Sequence, residues 1–350
     1  MTAVSGDPRA SRPGAAPVAT DPARATPPGR DVALNAPVRS LKMLELQVSS
    51  GATEVYLALR PPVGQPVSFD ALPAHRDGEP TQVGSPALLS ELIAAAHSAG
   101  LRVHFCADAP MIPASCTRAY LDHVTTGVEA GADTVVVGSL PACGWLADGC
   151  LATDLVAGST MGVSTVAFAT WLRDACQVRR IVLPHTVTLA EVGVFCRLDG
   201  LEIEVPVQTG SGLDCTRCRL ADLPGVGLGC RAGWAGGHGD HGGAGLGGAD
   251  LGGFLDGASD CALCDVPALI DIGVRALQIP GRESPNLRQN AKVTQLYRRA
   301  VQGHAAGTPM PQVIEAIDRV ELMWQMGWVP RLCEQQRCRF RDTPQQRAYV

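Results

Sequence analysis

The sequence predicts an α/β chain whose parallel strands close into a barrel surrounded by helices. Seven short segments rich in Val, Ile and Leu alternate with amphipathic helical segments between Leu41 and Val301. Such alternation is typical of a parallel sheet, and its even spacing favours a closed barrel over an open, doubly wound sheet. With 350 residues, 46% of them hydrophobic, the chain is long enough to bury such a core. We therefore expect a TIM-like (β/α) barrel, complete or incomplete, interrupted by an insertion rich in cysteine and glycine.

Hydrophobic periodicity and helix-ending glycines locate the individual elements. The predicted strands are 54–58, 101–106, 133–137, 151–157, 180–183, 201–207 and 276–279. The predicted helices are 41–50, 87–98, 117–130, 163–175, 188–198, 266–272 and 286–301. Gly100 and Gly131 follow two of these helices, where a left-handed residue commonly ends a helix.

Composition divides the chain into three regions. Residues 1–33 are rich in Ala, Pro, Gly and Arg without an apolar period, and we expect them to be a disordered leader. Residues 34–302 carry the barrel pattern and include a cysteine-rich region at 208–264. Residues 303–350 are expected to form a C-terminal helix and a basic tail.

Charge and hydropathy narrow the functional class. A net charge of −5 with 18% charged residues disfavours nucleic acid as a partner. No apolar run approaches the roughly 18 residues of a membrane span, and the first residues lack the apolar core of a secretory signal. We therefore expect a cytoplasmic protein without membrane contact. In that reducing compartment, its 13 cysteines are not expected to pair as disulfides.

Five of the cysteines cluster between residues 215 and 264. Cys215 and Cys218 form one CxxC pair, Cys230 lies within Gly-Cys-Arg, and Cys261 and Cys264 form a second CxxC pair. Clustered thiolates are typical ligands of soft metals, whereas ordinary burial is the alternative for a single pair. Zinc and an iron-sulfur cluster both accept four thiolates, so the spacing leaves both open.

The remaining cysteines divide into two groups. Six fall on apolar elements or their ends and are predicted to be core residues: Cys106, Cys116, Cys143, Cys150, Cys176 and Cys196. Cys333 and Cys338 lie near the basic C-terminal tail and have no predicted role.

Polar residues that follow the predicted strands are the candidates for catalysis, because active residues of such barrels collect at the carboxyl ends of the strands. Asp108, His185 and Arg282 are the candidates. Helix capping is the alternative for Asp108, and closing a turn is the alternative for His185. Arg282, between Pro280 and Pro285, lies on a stiff turn suited to binding a carboxylate or phosphate. Other polar residues in such positions are Ser139, Ser159, Thr160, Gln208 and Thr209.

The residues around the second CxxC pair also carry a family resemblance. The stretch from Asp260-Cys261 through 267–285, PALIDIGVRALQIPGRESP, resembles "DLC...LPELIDAGVDSLKIEGRMKSPEY" of the collagenase-like peptidase family U-32. Upstream, 51–57 (GATEVYL) is similar to the family's "GADAVYLG", and 180–184 (RIVLP) to its "KRVVLARELSLEEI". The resemblance extends over residues 34–302. No HExxH or GxSxG motif of a hydrolase is present.

This resemblance implies a TIM-like barrel that holds a 4Fe-4S cluster, with zinc as the alternative metal. The implied ligands are Cys215, Cys218, Cys230 and Cys261. The iron-sulfur branch of the family, whose members hydroxylate ubiquinone precursors or RNA pyrimidines without oxygen, implies hydroxylation of a small aromatic or nucleobase-like substrate. Arg282 would bind an acidic group of that substrate.

Two alternatives accompany the hydroxylase. One is a peptidase of the same family, and the other is a noncatalytic, cluster-bearing subunit that pairs with a related chain as a heterodimer. The family's KIEGR reads Gln278-Ile279-Pro280-Gly281-Arg282 here, and the lost Lys and Glu favour the noncatalytic subunit. The retained Arg282 favours an enzyme.

Overall fold

A computed structural model describes residues 32–62, 68–72, 75–76, 79–149, 153–208, 261–282, 284–322, 324–334 and 338–340. The predicted cluster ligands Cys215, Cys218 and Cys230 lie outside the described residues, as does the predicted leader up to residue 31. None of the described helices combines the length and the apolar character needed to cross a membrane.

Eight parallel strands close into a barrel, which confirms the predicted TIM-like fold and shows it to be complete. Each strand pairs with its neighbours in the sequence, and the last strand closes the ring on the first through the pairing of Ala33 with Ala276. The strands are β1 (Ala33–Pro37), β2 (Glu54–Leu57), β3 (Arg102–Ala107), β4 (Thr134–Val137), β5 (Asp154–Ala157), β6 (Val178–Val182), β7 (Glu202–Pro206) and β8 (Ala276–Gln278).

Helices cover the outside of the barrel. They are α1 (Leu41–Ser49), α2 (Pro86–Ser98), α3 (Thr117–Glu129), α4 (Leu140–Asp148), α5 (Val166–Cys176), α6 (Leu189–Phe195), α7 (Val266–Asp271), α8 (Leu287–Ala305) and α9 (Met310–Asp318). A π-helical segment, Trp324–Cys333, follows α9.

Local sequence explains where these elements begin. Thr188 and Glu191 form a capping box at the start of α6, in which the Thr188 hydroxyl accepts from the backbone N–H of Glu191 and the Glu191 carboxylate accepts from that of Thr188. All seven predicted strands are present within a few residues of their expected bounds. β1 and α4 were not predicted, because Ala-Leu-Asn-Ala-Pro lacks β-branched residues and α4 contains Pro141 and Gly144.

Side chains alternate along each strand between the helical layer and the barrel interior. Outward residues such as Val55, Phe105 and Val135 pack against the helices in the main core. An apolar layer crosses the middle of the interior and consists of Tyr56, Ala58, Cys106, Val136, Val156 and Val182.

A charged network fills the interior below that layer, at the amino ends of the strands. Arg180 donates from Nη2 to Glu54 at 3.0 Å and to Glu202 at 2.8 Å, and from Nη1 to Glu204 at 3.1 Å. His104 lies 3.0 Å from the Glu54 carboxylate. Polar side chains therefore close the amino end of the barrel, and the candidate catalytic residues lie at the other end.

Candidate active site at the carboxyl end of the barrel

A buried ion pair joins the end of β8 to the loop after β2. Arg282 donates from Nη2 to Oδ1 of Asp70 at 2.6 Å, and the two residues are only 3% and 4% exposed. Burial alone would lower the pKa of Arg282, but the Asp70 carboxylate outweighs that effect and holds it above its usual value. The guanidinium therefore stays charged in a region shielded from water.

The rest of the Arg282 guanidinium is not satisfied by the residues that the structure describes. Its Nε and Nη1 atoms are buried and have no hydrogen-bond partner among the described residues. The guanidinium carbon lies 5.5 Å from the centre of the Tyr56 ring, whose hydroxyl donates to the Ile279 carbonyl at 2.9 Å. Buried N–H groups without partners are costly. These two groups are consequently suited to receive an anionic or carbonyl oxygen from a bound molecule.

Asp108 lies beside this ion pair, directly after β3. Its Oδ1 accepts from the backbone N–H of Ala71 at 3.1 Å. Burial and the neighbouring Asp70 raise the pKa of Asp108 to about 7, against the opposing effect of Arg282. A carboxyl group that titrates near neutral pH can both accept and release a proton under physiological conditions.

Small residues allow the Asp108 backbone to pack against the neighbouring strands. A Cβ atom on Gly138, directly after β4, would overlap the Asp108 carbonyl oxygen and lie 2.5 Å from Thr160 Oγ1. That hydroxyl donates to the same carbonyl at 2.9 Å. The ends of β3, β4 and β5 are thereby held together, which fixes the position of Asp108.

The loop that carries Asp70 is held from both sides. Gln82 donates from Nε2 to Asp70 Oδ2 at 3.1 Å. On the outer side, the Phe69 ring packs edge-on against Tyr120, with 5.6 Å between ring centroids, and against His123 at 5.2 Å. The ion pair with Arg282 therefore rests on a preorganised support.

The structure thus brings together two of the three predicted catalytic residues, Asp108 and Arg282. His185 lies half-buried in the turn after β6, and its catalytic role stays a prediction. Asp70 was not predicted, because it follows β2 by more than ten residues and no strand end pointed to it. The signal that could have indicated it is Arg282, because an arginine that follows a buried strand needs a nearby carboxylate as its counter-charge.

Of the four proposed ligands of the predicted metal centre, the described residues include one, Cys261. Cys261 is buried, its Sγ accepts from the backbone N–H of Leu263 at 3.3 Å, and the Tyr297 hydroxyl lies 3.9 Å from the same sulfur. Within the described ranges, no three His, Cys, Asp or Glu side chains converge in a way that could hold a metal ion. The cluster therefore stays a prediction.

Comparison with known proteins gives similarity at low identity. No family model and no curated protein matches the chain. Among solved structures, a U32 peptidase is 17% identical over 52% of this chain and 71% of its own, with a TM-score of 0.40. A dimeric archaeal Rubisco from Hyperthermus butylicus is 11% identical over 86% of this chain and 67% of its own, with a TM-score of 0.46. Phosphoribosylanthranilate isomerase from Thermotoga maritima is 10% identical over 78% and 99%, with a TM-score of 0.41. Similarity at this level assigns neither a family nor an activity.

Proposed function

We propose that this chain is an enzyme that binds a small anionic substrate at the carboxyl end of the barrel through Arg282 and moves a proton with Asp108. The observation that carries this proposal is the placement of two guanidinium N–H groups, which have no hydrogen-bond partner in the described part of the chain, beside a carboxyl group whose pKa is raised to about 7. Charge recognition and proton transfer are the two requirements of general acid-base catalysis on a charged substrate.

Arg282 is suited to orient the substrate rather than merely to attract it. Its Nη2 is held by Asp70, and Arg39 donates to the backbone carbonyls of Arg282 and Ser284, so the guanidinium plane is fixed before binding. The Nε and Nη1 groups lie on different edges of the guanidinium, so each can donate a separate hydrogen bond to an oxygen of a bound carboxylate or phosphate. A substrate held in this way places its remaining atoms near Asp108, which takes up or releases the proton.

The finer proposal adds an iron-sulfur cluster and oxygen-independent hydroxylation of a small aromatic or nucleobase-like molecule. The support is the resemblance to family U-32 over Cys261–Pro285, a stretch that contains both a proposed ligand and Arg282. The surroundings of Cys261 fit a cluster, since its sulfur receives hydrogen bonds from a backbone N–H and is approached by a tyrosine hydroxyl, contacts that tune cluster sulfurs. A cluster there would supply electron transfer, and iron, sulfide and zinc analysis of anaerobically purified protein tests its presence. A related chain as heterodimer partner belongs to the same proposal.

Arg282→Lys tests the anion site. Lysine keeps the charge and the pairing with Asp70 but loses the planar fork, so affinity for small carboxylates and for inorganic phosphate should fall by roughly tenfold or more, the equivalent of a charged hydrogen bond. Binding is measured by calorimetry with a panel of mono- and dicarboxylates and phosphate, alongside the melting temperature.

Arg180→Lys is the matched control, because Arg180 is equally buried but lies at the amino end of the barrel. It should lower stability and leave anion affinity unchanged. If Arg282→Lys lowers the melting temperature while anion affinity is unchanged, Arg282 is structural. The noncatalytic alternative would then be favoured.

A further inference from the structure

The C-terminal segment of the chain returns to the place where the cysteine-rich region rejoins the barrel. Trp324 and Trp328 are buried, their rings stack with 5.7 Å between centroids, and Trp328 packs against Tyr297 of α8 at 6.5 Å. The Tyr297 hydroxyl in turn donates to the Val207 carbonyl at 2.7 Å, directly after β7. This aromatic contact fixes the π-helical segment beside the end of β7.

Two further contacts bring the end of the described chain to Cys261 itself. Cys261 and Cys338 form an isolated parallel β-bridge, and the backbone N–H of Arg339 donates to the Cys261 carbonyl at 3.0 Å. The next residue, Phe340, is buried in the main core. Cys338 is thereby fixed next to Cys261 by backbone hydrogen bonding and by a buried neighbour.

Cys264 and Cys333 belong to the same neighbourhood. Trp328, in the π-helical segment that ends at Cys333, packs against Tyr297, whose hydroxyl lies 3.9 Å from the Cys261 sulfur. Cys264 follows Cys261 by three residues and is exposed, while Cys333 ends the π-helical segment and is half-buried, as is Cys338. A CxxC pair and a Cx4C pair, far apart in sequence, are therefore placed in the region where the chain rejoins the barrel after β7.

We propose that Cys261, Cys264, Cys333 and Cys338 form a four-thiolate site for a soft metal centre. The proposal rests on the cofactor part of the proposed function but assigns three ligands that the family resemblance does not. Paired cysteines from two separate segments are a common way to surround zinc or an iron-sulfur cluster. The sulfurs do not yet converge on one point in the described structure, so binding requires rotation of the exposed and half-buried thiols. The site would tie the C-terminal segment to the barrel.

The test compares two sets of alanine variants of the full chain purified without oxygen. One set is Cys264→Ala, Cys333→Ala and Cys338→Ala, and the other is Cys215→Ala and Cys218→Ala. Iron, zinc and acid-labile sulfide per chain are measured with the visible spectrum, which separates an iron-sulfur cluster from zinc. Alkylation of Cys264 is followed on the same samples before and after chelation. We expect metal loss in the first set only, and protection of Cys264 that chelation removes.

Cys196→Ala is the matched control, since Cys196 is half-buried like Cys333 and Cys338 but lies against Gly273, at the amino end of β8. It should retain the metal. Melting temperatures of all variants separate ligand loss from unfolding, and the exposed Cys264 can be replaced without a packing cost. Metal loss in Cys215→Ala and Cys218→Ala, with retention in Cys333→Ala and Cys338→Ala, would overturn the inference and leave the cofactor proposal standing. Wild-type protein without iron or zinc would overturn both, and would leave the Arg282 and Asp108 site untouched.

Discussion

At the scale of single residues, the sequence predicted two of the three residues that line the candidate site, Asp108 and Arg282. Asp108 and Arg282 both follow buried strands, so the rule that active residues collect at strand ends selected them as candidates, and their catalytic role stays a prediction. The partner that gives them their chemistry, Asp70, was out of reach because it lies in a long loop. Its position depends on Phe69 packing against α3, a contact between residues distant in sequence.

The raised pKa of Asp108 predicts how its replacement changes stability. A carboxyl group with a pKa of about 7 in the folded protein and about 3.9 when unfolded favours folding at low pH and loses that contribution as the pH rises. Asparagine resembles the protonated form. We therefore expect the unfolding free energy of Asp108→Asn, relative to wild type, to increase from about pH 4 to about pH 7 and then to level off. Urea unfolding across this range measures it.

Asp174→Asn is the control for that series. Asp174 is fully exposed, and a hydrogen bond from Arg173 lowers its pKa. The unfolding free energy of Asp174→Asn relative to wild type should therefore depend only weakly on pH, and with the opposite sign. A flat difference for Asp108→Asn across the range would mean that Asp108 stays ionised, which removes it as the proton carrier.

At the scale of elements, the sequence predicted strands and helices wherever local composition and tertiary position agree. Strands β4 (TVVV) and β6 (VRRIV) are rich in β-branched residues, and the helices between the strands carry caps or ending glycines. β1 is a strand because β2 and β8 supply hydrogen bonds on both sides. Its own composition does not predict a strand. The return of the Trp324–Cys333 segment could not be predicted either, since it depends on packing against α8.

Gly138 illustrates an element-scale constraint that the sequence did not reveal. Alanine at this position would place its Cβ within the Asp108 carbonyl oxygen, and a backbone atom cannot give way as a flexible side chain can. We expect Gly138→Ala to cost about 1 to 3 kcal/mol or more and to weaken anion binding by displacing the Asp108 turn. Calorimetric unfolding and the anion titration measure the two effects.

Gly144→Ala in the following helix is the matched control. Among the described residues, no neighbouring atom lies within 4 Å of its added Cβ, so the change should stabilise the protein by roughly 0.5 to 1 kcal/mol through helix propensity. Equal behaviour of the two variants would show that the approach of Asp108 to β4 does not determine the site.

At the scale of the whole molecule, the closed barrel was predictable from the alternation of its elements, but the contents of its interior were not. Glu54, Arg180 and Glu204 read as ordinary strand residues in the sequence, and only closure of the ring brings them together. His104 and Asn35 complete the same network through Glu54 and Glu204. Which side chains of a strand face inward is set by the register of every strand in the ring.

Arg180 is the positive centre of this network, and we expect its removal to change how stability depends on pH. Burial would raise the pKa of Glu54, but His104 and Arg180 outweigh it and hold that pKa well below its usual range. Wild-type protein should therefore keep this contribution above about pH 4.5 and lose it in acid. Arg180→Met leaves the carboxylates of Glu54, Glu202 and Glu204 without their shared counter-charge and should cost about 3 to 5 kcal/mol at pH 7.

Acidification should then stabilise the variant more than it stabilises wild type. In Arg180→Met the uncompensated carboxyl groups gain stability by taking up protons, so its unfolding free energy should rise from pH 7 to pH 5 more steeply than that of wild type, since Asp108 contributes the same rise to both proteins. Arg102→Met is the control at the same end of the barrel, because Arg102 forms only a partly exposed pair with Asp154 at 3.9 Å and should cost about 0 to 1 kcal/mol. Urea unfolding at pH 5, 6 and 7 measures the unfolding free energies of wild type and both variants. An Arg180→Met protein whose unfolding free energy changes with pH as that of wild type does would show that the three carboxylates do not depend on Arg180 for compensation, and that the arginine contributes packing rather than charge.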